Sequence, residues 1–364
     1  MGLKLEVIKA GKGDCLLLHY GKGETPALTL IDGGPPGVYK RFLKPRLEEL
    51  REERDEKKPL ELELVMVSHI DQDHVWGVWN LLQAIELADK ADAPYKVGRL
   101  WHNGFKELAD DADSAEAVEA ERADAVPEAA AVVASVGEGV KTNDLAAKLD
   151  IPHNERKDGD LILAGATRKL PGGLMLTAIG PSPERVENLR KEWAKTVKAK
   201  PEDLVPAAVQ ETIPNLSSLL VLAEYDKKRI LLTGDGVAGD ILDGLRDQKL
   251  LDKDGRAHFE VLKMPHHGSD LNVKEPDDFL EKVTADHYVI SGNGEDGNPE
   301  PQTLRMIAEA RKGEDYEIWL TYREGEEDLT PNVKAFLKEQ KEAGREDKVH
   351  FPEDGAPSMT ILLD

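Results

Sequence analysis

"VSHIDQDHVWGV", Val67 to Val78, places two histidines and two aspartates within the six residues from His69 to His74. The stretch follows "LELELVM", in which leucine alternates with glutamate before the chain becomes wholly apolar. This pattern predicts a β-strand that enters a covered sheet, with the polar residues at its carboxyl end. From Val78 onward, "VWNLLQAIELADKA" has the spacing of a helix. We therefore expect a strand, a polar loop and a helix in that order.

The polar side chains of this stretch are all of types that bind metal ions. His69, Asp71, Asp73 and His74 alternate nitrogen and oxygen donors, which borderline or hard divalent cations prefer. In an extended chain the first three would lie on one side, whereas a turn would divide the donors between two ions. The structural alternative is a plain turn in which an aspartate caps the next helix.

Three later stretches also place polar residues directly after an apolar strand pattern. They are "TGD" at Thr233 to Asp235, "PHHGSD" from Pro265 and "SGNGEDGNPE" from Ser291. Loops gather into a site at strand ends in layered α/β folds, so we expect these stretches to lie near the first one. An ionised Asp235 would be costly to bury alone, and a position between two cations would remove that cost.

Each of these candidates also has a purely structural interpretation. Asp235 would serve as a helix cap for "GVAGDIL", and "HHG" would be a surface loop. For His102 and His153 both interpretations stay open. The joint occurrence of the stretches, in this order along the chain, favours a metal site.

The composition bounds the function further. The chain has 364 residues and a formal net charge of −23, so it repels phosphate backbones at long range, and non-specific binding of nucleic acid by a basic face is not expected.

The single cysteine, Cys15, lies in an apolar run and excludes an intramolecular disulfide. With no signal-peptide pattern and no apolar run of membrane-spanning length, we expect a cytoplasmic protein without a membrane partner.

One segment differs in character from the rest. Residues 105–140 are rich in alanine and acidic residues. This composition predicts an acidic helical insertion that projects from the main body. Around it, two groups of strand patterns, each followed by helical patterns, predict a layered α/β domain that spans residues 1–364.

The motifs resemble those of a known family. "HIDQDH" followed by "GV" is similar to the His-x-His-x-Asp-His signature of the metallo-β-lactamase superfamily. "GKGDC", "LIDGG", "NLSSLLVL", "LLTGD" and "LKMPHHGS" resemble, in this order, the hydrolase domain of DNA-uptake competence proteins. The resemblance implies a four-layer αββα sandwich with a dinuclear metal site between its sheets.

The resemblance also implies a role for each candidate residue. His69 and Asp71 would hold one ion, and the other would be held by Asp73, His74 and one member of the His266/His267 pair. Asp235 would bridge the two ions, and Asp32 would brace the site. Because adjacent side chains of an extended chain point to opposite sides, we expect His267 to be the ligand and His266 to act on the substrate, as a proton donor or by holding a phosphoryl oxygen.

The sequence departs from the family pattern at three positions. Asp71 replaces the second histidine of the signature, Asn298-Pro299 replaces a late His-Pro, and Asn215 or Ser217 stands where a third histidine is usual. One ion position is therefore rich in oxygen donors. We expect two divalent cations, with zinc as the first choice and manganese or magnesium as alternatives.

These inferences predict a metal-dependent hydrolase, a phosphodiesterase or nuclease that acts through a metal-bound hydroxide. Asp73, Asp235 and His266 are its predicted catalytic residues. The negative net charge favours a single-stranded or nucleotide-sized phosphodiester over a duplex. The alternatives are a hydrolase of a non-nucleic small-molecule ester, and a degenerate metal-binding scaffold whose acidic insertion binds a protein partner.

Overall fold

The computed structural model describes residues 2–23, 25–55, 57–88, 92–104, 108, 139, 141–155, 161–198, 216–323 and 331–363. Of the predicted acidic insertion at 105–140, all but Leu108 and Gly139 lie outside the described residues. The helical form of that insertion therefore stays a prediction.

The described strands form two large sheets and one small pair. In chain order they are β1 (Leu3–Ile8), β2 (Leu16–Tyr20), β3 (Ala27–Ile31), β4 (Leu60–Leu62), β5 (Leu64–Val67), β6 (Tyr95–Val97), β7 (Leu100–His102), β8 (Thr167–Lys169), β9 (Met175–Gly180), β10 (Leu220–Tyr225), β11 (Lys228–Leu232), β12 (Ala257–Lys263), β13 (Val283–Ile290), β14 (Glu317–Leu320), β15 (Val349–His350) and β16 (Ser358–Leu363). The first sheet has the order β16-β1-β2-β3-β5-β7 and the second β15-β14-β13-β12-β11-β10-β9-β8, while β4 pairs with β6.

Each large sheet is antiparallel in one part and parallel in the other. In the first sheet β3, β5 and β7 run parallel, and in the second the parallel part extends from β11 to β15. Parallel strands end at the same edge of a sheet, so the loops after β3, β5 and β7 lie together, as do those after β11, β12 and β13. This topology allows loops of both sheets to contribute to one site.

The helices cover the outer faces of the two sheets. They include α1 (Lys44–Glu52), α2 (Gln72–Leu87), α3 (Pro183–Lys198), α4 (Ala238–Asp247), α5 (Asp270–Val273), α6 (Phe279–Lys282), α7 (Pro301–Ala310) and α8 (Pro331–Glu342). Buried side chains of α1 and α2 pack on the first sheet, and those of α4, α7 and α8 pack on the second. No helix in these described ranges is long and apolar enough to cross a membrane.

The alternation of side chains along β5 shows how the layers are held together. Leu64 and Met66 belong to the core between the two sheets, whereas Val65 and Val67 face the helices outside the first sheet. A strand with apolar layers on both sides must be apolar throughout, which is the pattern that the sequence has there. The layers follow in the order helix, sheet, sheet, helix, and the predicted αββα sandwich is confirmed.

The structure differs from the sequence-based prediction in three places. Helix α2 begins at Gln72 and not at Val78, so Asp73 and His74 lie in its first turn. "LELELVMV" forms two strands, β4 and β5, which pair with different neighbours. The run "DLILAG", residues 160–165, has the apolar pattern of a strand, but residues 161–165 form none, because both backbone groups of Ile162 bond to the side chain of Asn103 and the strand next to β9 is β8.

A close backbone contact fixes α2 against the turn after β3. The amide of Gly33 donates to the carbonyl of His74 at 2.8 Å, and that of Gly77 donates to Gly34 at 3.1 Å. A Cβ atom added to Gly77 would lie 1.9 Å from the Gly33 oxygen. Only glycine permits this approach, which brings the first turn of α2 against Asp32.

We expect Gly77→Ala to lower the free energy of unfolding by at least about 1 kcal/mol, because the clash outweighs the gain of about 1 kcal/mol in helix propensity. Urea unfolding followed by circular dichroism measures the change. Gly239→Ala in α4 is the matched control, since its Cβ would meet only the Glu275 oxygen at 3.8 Å. The control should be neutral or stabilising. A Gly77→Ala protein as stable as the parent would contradict the interpretation.

Candidate metal centre

The predicted site residues lie together between the carboxyl ends of the two sheets. His69 follows β5, Asp71 immediately precedes α2, and Asp73 and His74 lie in the first turn of that helix. From the second sheet, Asp235 follows β11, and His266 and His267 follow β12. The structure therefore brings all seven of them to one place.

Four of these side chains converge on a common point. His74 Nε2 lies 3.3 Å from both His267 Nε2 and Asp235 Oδ1, and the latter two atoms are 3.4 Å apart. Asp73 Oδ2 completes the set at 3.5 Å from His267 Nε2 and 3.8 Å from His74 Nε2. Ligands of a tetrahedral zinc ion are separated by about 3.4 Å, given metal–ligand bonds of about 2.0–2.2 Å. We call Asp73, His74, Asp235 and His267 the four-donor set.

The other oxygen of Asp235 faces a second group of donors. Asp235 Oδ2 lies 3.6 Å from His69 Nε2 and 3.6 Å from His266 Nε2. Asp71 Oδ2 lies 3.6 Å from His69 Nε2 on the other side. We call His69, Asp71, Asp235 and His266 the second set. Asp235 belongs to both sets, with a different oxygen in each.

The backbone at the histidine pair explains how both rings reach the site. His266 has φ 44° and His267 has φ 53°, so both residues are in the left-handed region. The expectation that adjacent side chains point to opposite sides assumed an extended chain, and that assumption is wrong here. His267 faces Asp235 Oδ1 and His266 faces Asp235 Oδ2.

The structural alternatives for these residues are wrong. Asp71 occupies the residue before α2, but its side chain makes no capping hydrogen bond. The residue before α4 is Val237, so Asp235 does not cap that helix. His267 is only 2% exposed, which is incompatible with a surface loop.

The donor atoms fit divalent cations. Among the described residues, His69 Nε2 and Asp235 Oδ1 are buried without a hydrogen-bond partner, which would be costly unless a cation lay against them. The carboxylates of Asp32, Asp71 and Asp73 also lie here, and within the described ranges their ion pairs are with histidines and not with lysine or arginine. Two divalent cations would neutralise this concentration of negative charge.

The same carboxylates govern the ionisation of the histidines. Burial disfavours charge on His74, but Asp235, Asp73 and Asp32 outweigh it and raise the pKa of His74 well above its ordinary value. Burial likewise opposes charge on Asp73, yet His74 and His267 lower the pKa of Asp73 to about 2. The site thus favours positive charge next to these carboxylates.

Two buried carboxylates behind the four-donor set orient its histidines. His74 Nδ1 donates to Asp32 Oδ2 at 2.9 Å, and Ser68 donates to both oxygens of Asp32 through its amide and its hydroxyl. Asp14 Oδ1 lies 3.5 Å from His267 Nδ1, while its other oxygen pairs with Lys263 Nζ at 2.7 Å. A protonated Nδ1 leaves Nε2 of each ring as the metal-binding atom.

Sequence reasoning missed several of these supporting residues. Asp14 lies in "GKGDC" and Lys263 in "LKMPHHGS", so the motifs contain them, but nothing local shows that they pair. Ser218 accepts the amide of Asp235, and Asn272 donates to the Asp235 carbonyl at 2.9 Å. These contacts join residues far apart in the chain.

The remaining candidates do not join the donor sets. Asn298 donates to the carbonyl of His266 at 3.3 Å and so supports the histidine turn without being a ligand. His102 Nδ1 contacts Asn143, and His153 Nε2 contacts the His102 carbonyl. Asn215 lies outside the described residues.

We expect the purified protein to carry close to two divalent ions per chain. His267→Ala should lose the ion of the four-donor set and His69→Ala the other, because each removes a nitrogen donor from one set only. Elemental analysis of purified, unchelated protein measures the ions. His258→Ala is the control, since this exposed histidine pairs with Asp286 away from the site. Loss of no ion from either site variant would contradict the assignment.

We expect Asp71→His to tighten zinc binding in the second set by replacing an oxygen donor with nitrogen, and Asp71→Asn to weaken it by removing charge. Competition with a zinc chelator measures both affinities. If neither substitution changes the affinity, Asp71 lies outside the ligand set.

Comparisons with known proteins give the family of the chain. The family model of the metallo-β-lactamase superfamily matches residues 10–291. No curated protein sequence gives a significant match. Among solved structures, the crystal structure of isothiocyanate hydrolase from Delia radicum gut bacteria is similar at 15% identity and a TM-score of 0.39, over 99% of this chain and 98% of that one. The resemblance to competence proteins stays a prediction. Because the family model covers more than half of the chain, this protein belongs to the metallo-β-lactamase superfamily, a family of metal-dependent hydrolases.

Proposed function

We propose that this hydrolase is a phosphodiesterase that cleaves single-stranded or nucleotide-sized substrates. The observation that carries the proposal is the position of Asp235, which presents one oxygen to the four-donor set and the other to the second set. A carboxylate shared in this way could be held by both cations of a pair, which would supply the two-metal chemistry of phosphodiester hydrolysis. Zinc is the first choice, with manganese or magnesium as alternatives.

With divalent cations bound, the site would supply a water molecule of lowered pKa and positive charge facing the scissile phosphate. Asp73 and Asp235 would hold the cations and would accept hydrogen bonds from a water molecule at the site, which would orient it. Asp73 is suited to this role because its side chain is 20% exposed, whereas that of Asp235 is only 3% exposed. Asp235 would therefore act from the buried side of the site and Asp73 from the side that is open to solvent.

His266 is held by a defined hydrogen bond. Its Nδ1 lies 2.9 Å from Asn272 Oδ1, and because the amide nitrogen of Asn272 donates to the Asp235 carbonyl, that oxygen is the acceptor. His266 Nδ1 therefore carries a proton, and its Nε2 lies 3.6 Å from Asp235 Oδ2. This arrangement favours His266 as a cation ligand. It serves as a proton donor to the leaving oxygen only when both nitrogens are protonated.

The choice of a phosphodiester rests on analogy with the competence-type motifs and on charge. A net charge of −23 disfavours a long duplex, whose phosphates would meet repulsion over the whole surface. A short substrate meets only the negative electrostatic potential close to the site. Bound cations would make that potential positive.

A non-nucleic small-molecule ester is the second candidate. A cavity of about 330 Å³ beside the site is at the lower end of the sizes of ligand pockets and suits a compact substrate. A scaffold that binds a protein partner through the acidic insertion stays a prediction, since the insertion lies outside the described residues apart from Leu108 and Gly139.

We expect Asp235→Asn to lower the rate of bis-p-nitrophenyl phosphate hydrolysis at least about a hundredfold, about 2.7 kcal/mol of barrier. The amide keeps the shape of the side chain but removes the charge that both sets share. Without metal, thermal stability at neutral pH should fall, because, despite burial, the surrounding histidines hold the pKa of Asp235 well below its ordinary value and would lose the charge that compensates them.

Initial rates at saturating metal measure the first effect, and thermal unfolding in the presence of chelator measures the second. Asp247→Asn, an exposed carboxylate on α4, is the control and should leave both unchanged. An Asp235→Asn protein as active as the parent would refute the shared role, and a parent active only on carboxylic esters would refute the phosphodiester.

A further inference from the structure

The two histidines of the four-donor set are supported by carboxylates in different electrostatic surroundings. His74 Nδ1 lies 2.9 Å from Asp32 Oδ2, and in the described part of the chain His74 is the only ion-pair partner of that carboxylate. His267 Nδ1 lies 3.5 Å from Asp14 Oδ1, and the other oxygen of Asp14 pairs with Lys263 Nζ at 2.7 Å. A lysine therefore compensates the negative charge behind His267, whereas the charge behind His74 has no such partner.

Lys263 is buried at the contact between the two sheets. It is the last residue of β12, it is 1% exposed, and its Nζ also donates to the Met264 carbonyl at 3.0 Å. Asp14, in the loop after β1, is 1% exposed as well. A buried ion pair gains little net stability, because removing both groups from water costs about as much as their attraction returns. Stability alone therefore does not account for a lysine at this position.

Backbone contacts fix the carboxylate of Asp14 close to the donors. The amide of Asp14 donates to the Asp73 carbonyl at 3.3 Å, and a Cβ atom on the preceding Gly13 would lie 1.9 Å from the same oxygen. Asp14 Oδ1 and His267 Nδ1 are both buried, and among the described residues neither has a hydrogen-bond partner besides this mutual contact. No competing hydrogen bond there weakens the effect of the Asp14 charge on His267.

The charge behind a metal-binding histidine determines how strongly the ring binds a cation. A carboxylate at the Nδ1–H raises the basicity of the ring and makes Nε2 a stronger donor. This effect is smaller when a second cation shares the carboxylate, because the net charge behind the ring is then close to zero. A lysine at that distance also repels a cation held by the same ring. Both effects of Lys263 have the same sign, and each weakens cation binding through His267.

We propose that Lys263 is a positioning residue that acts through Asp14 and weakens the bond between His267 and the ion of the four-donor set. That ion would be bound strongly by His74 and less strongly by His267, and it would keep more of its positive charge for polarising a substrate. The inference concerns the metal centre and does not depend on the proposed phosphodiesterase function.

Zinc affinity distinguishes this electrostatic role from a structural one. We expect Lys263→Gln and Lys263→Met to bind zinc in the four-donor set at least about tenfold more tightly, because the charge of Asp14 is then uncompensated. Asp14→Asn should bind it at least about tenfold more weakly, because the lysine charge then acts alone. Competition with a zinc chelator measures the stepwise affinities, and the step that His267→Ala abolishes identifies the four-donor set.

Two further variants make the outcome decisive. Glutamine at position 263 keeps hydrogen-bond donors for Asp14 and the Met264 carbonyl, so Lys263→Gln decides if Lys263→Met does not fold. Arg46→Met is the matched control, since Arg46 Nε pairs with the buried Glu6 at 2.7 Å and the pair includes no member of either donor set. The control should lower the midpoint of thermal unfolding and leave both zinc affinities unchanged.

A purely structural pair makes a different forecast. Substitution of Lys263 or Asp14 would then lower the midpoint of thermal unfolding, as Arg46→Met does, without changing the zinc affinity of the folded protein. A folded Lys263→Gln protein that binds zinc no more tightly than the parent would overturn the proposal, and so would an Asp14→Asn protein whose affinity does not fall.

Discussion

The carboxylate of Asp235 is the constraint on which the site depends. It is 2% exposed, and its two oxygens lie 3.3–3.6 Å from nitrogens of His69, His74, His266 and His267. A buried carboxylate without a compensating charge would be strongly destabilising. The four rings can surround it only because loops from both sheets end at this point. The sandwich architecture thus places one aspartate among four histidines, in an arrangement that fits a pair of cations.

The site is held in register by contacts too close for any residue but glycine, and by one buried ion pair. Gly33 and Gly77 bring the first turn of α2 against Asp32, and Gly13 brings the loop after β1 against Asp73. The pair between Asp14 and Lys263 joins the loop after β1 in the first sheet to the end of β12 in the second. Backbone contacts fix the positions of the donor atoms, so these atoms would move little when a cation binds. Such preorganisation favours catalysis.

Global and local electrostatics have different consequences in this protein. The net charge of −23 acts at long range and disfavours polyanionic ligands, but it is screened beyond about 8 Å at physiological ionic strength. Within that distance the site would be governed by the bound cations. A short anionic substrate would experience mainly the local field. The overall acidity is therefore compatible with a phosphate-binding site of limited extent.

The sequence by itself determined the layered fold and indicated seven candidate donors, because strand periodicity and polar residues at strand ends are local patterns. It did not determine which donors share an ion. That depends on the helical start of α2 at Gln72, which places Asp73 and His74 in the first turn of the helix, and on the left-handed backbone of His266 and His267. Nor could it pair Asp14 with Lys263, or bring Lys12, Arg41 and Tyr322 around one pocket. These relations join residues far apart in the chain, and only the packing of the two sheets decides them.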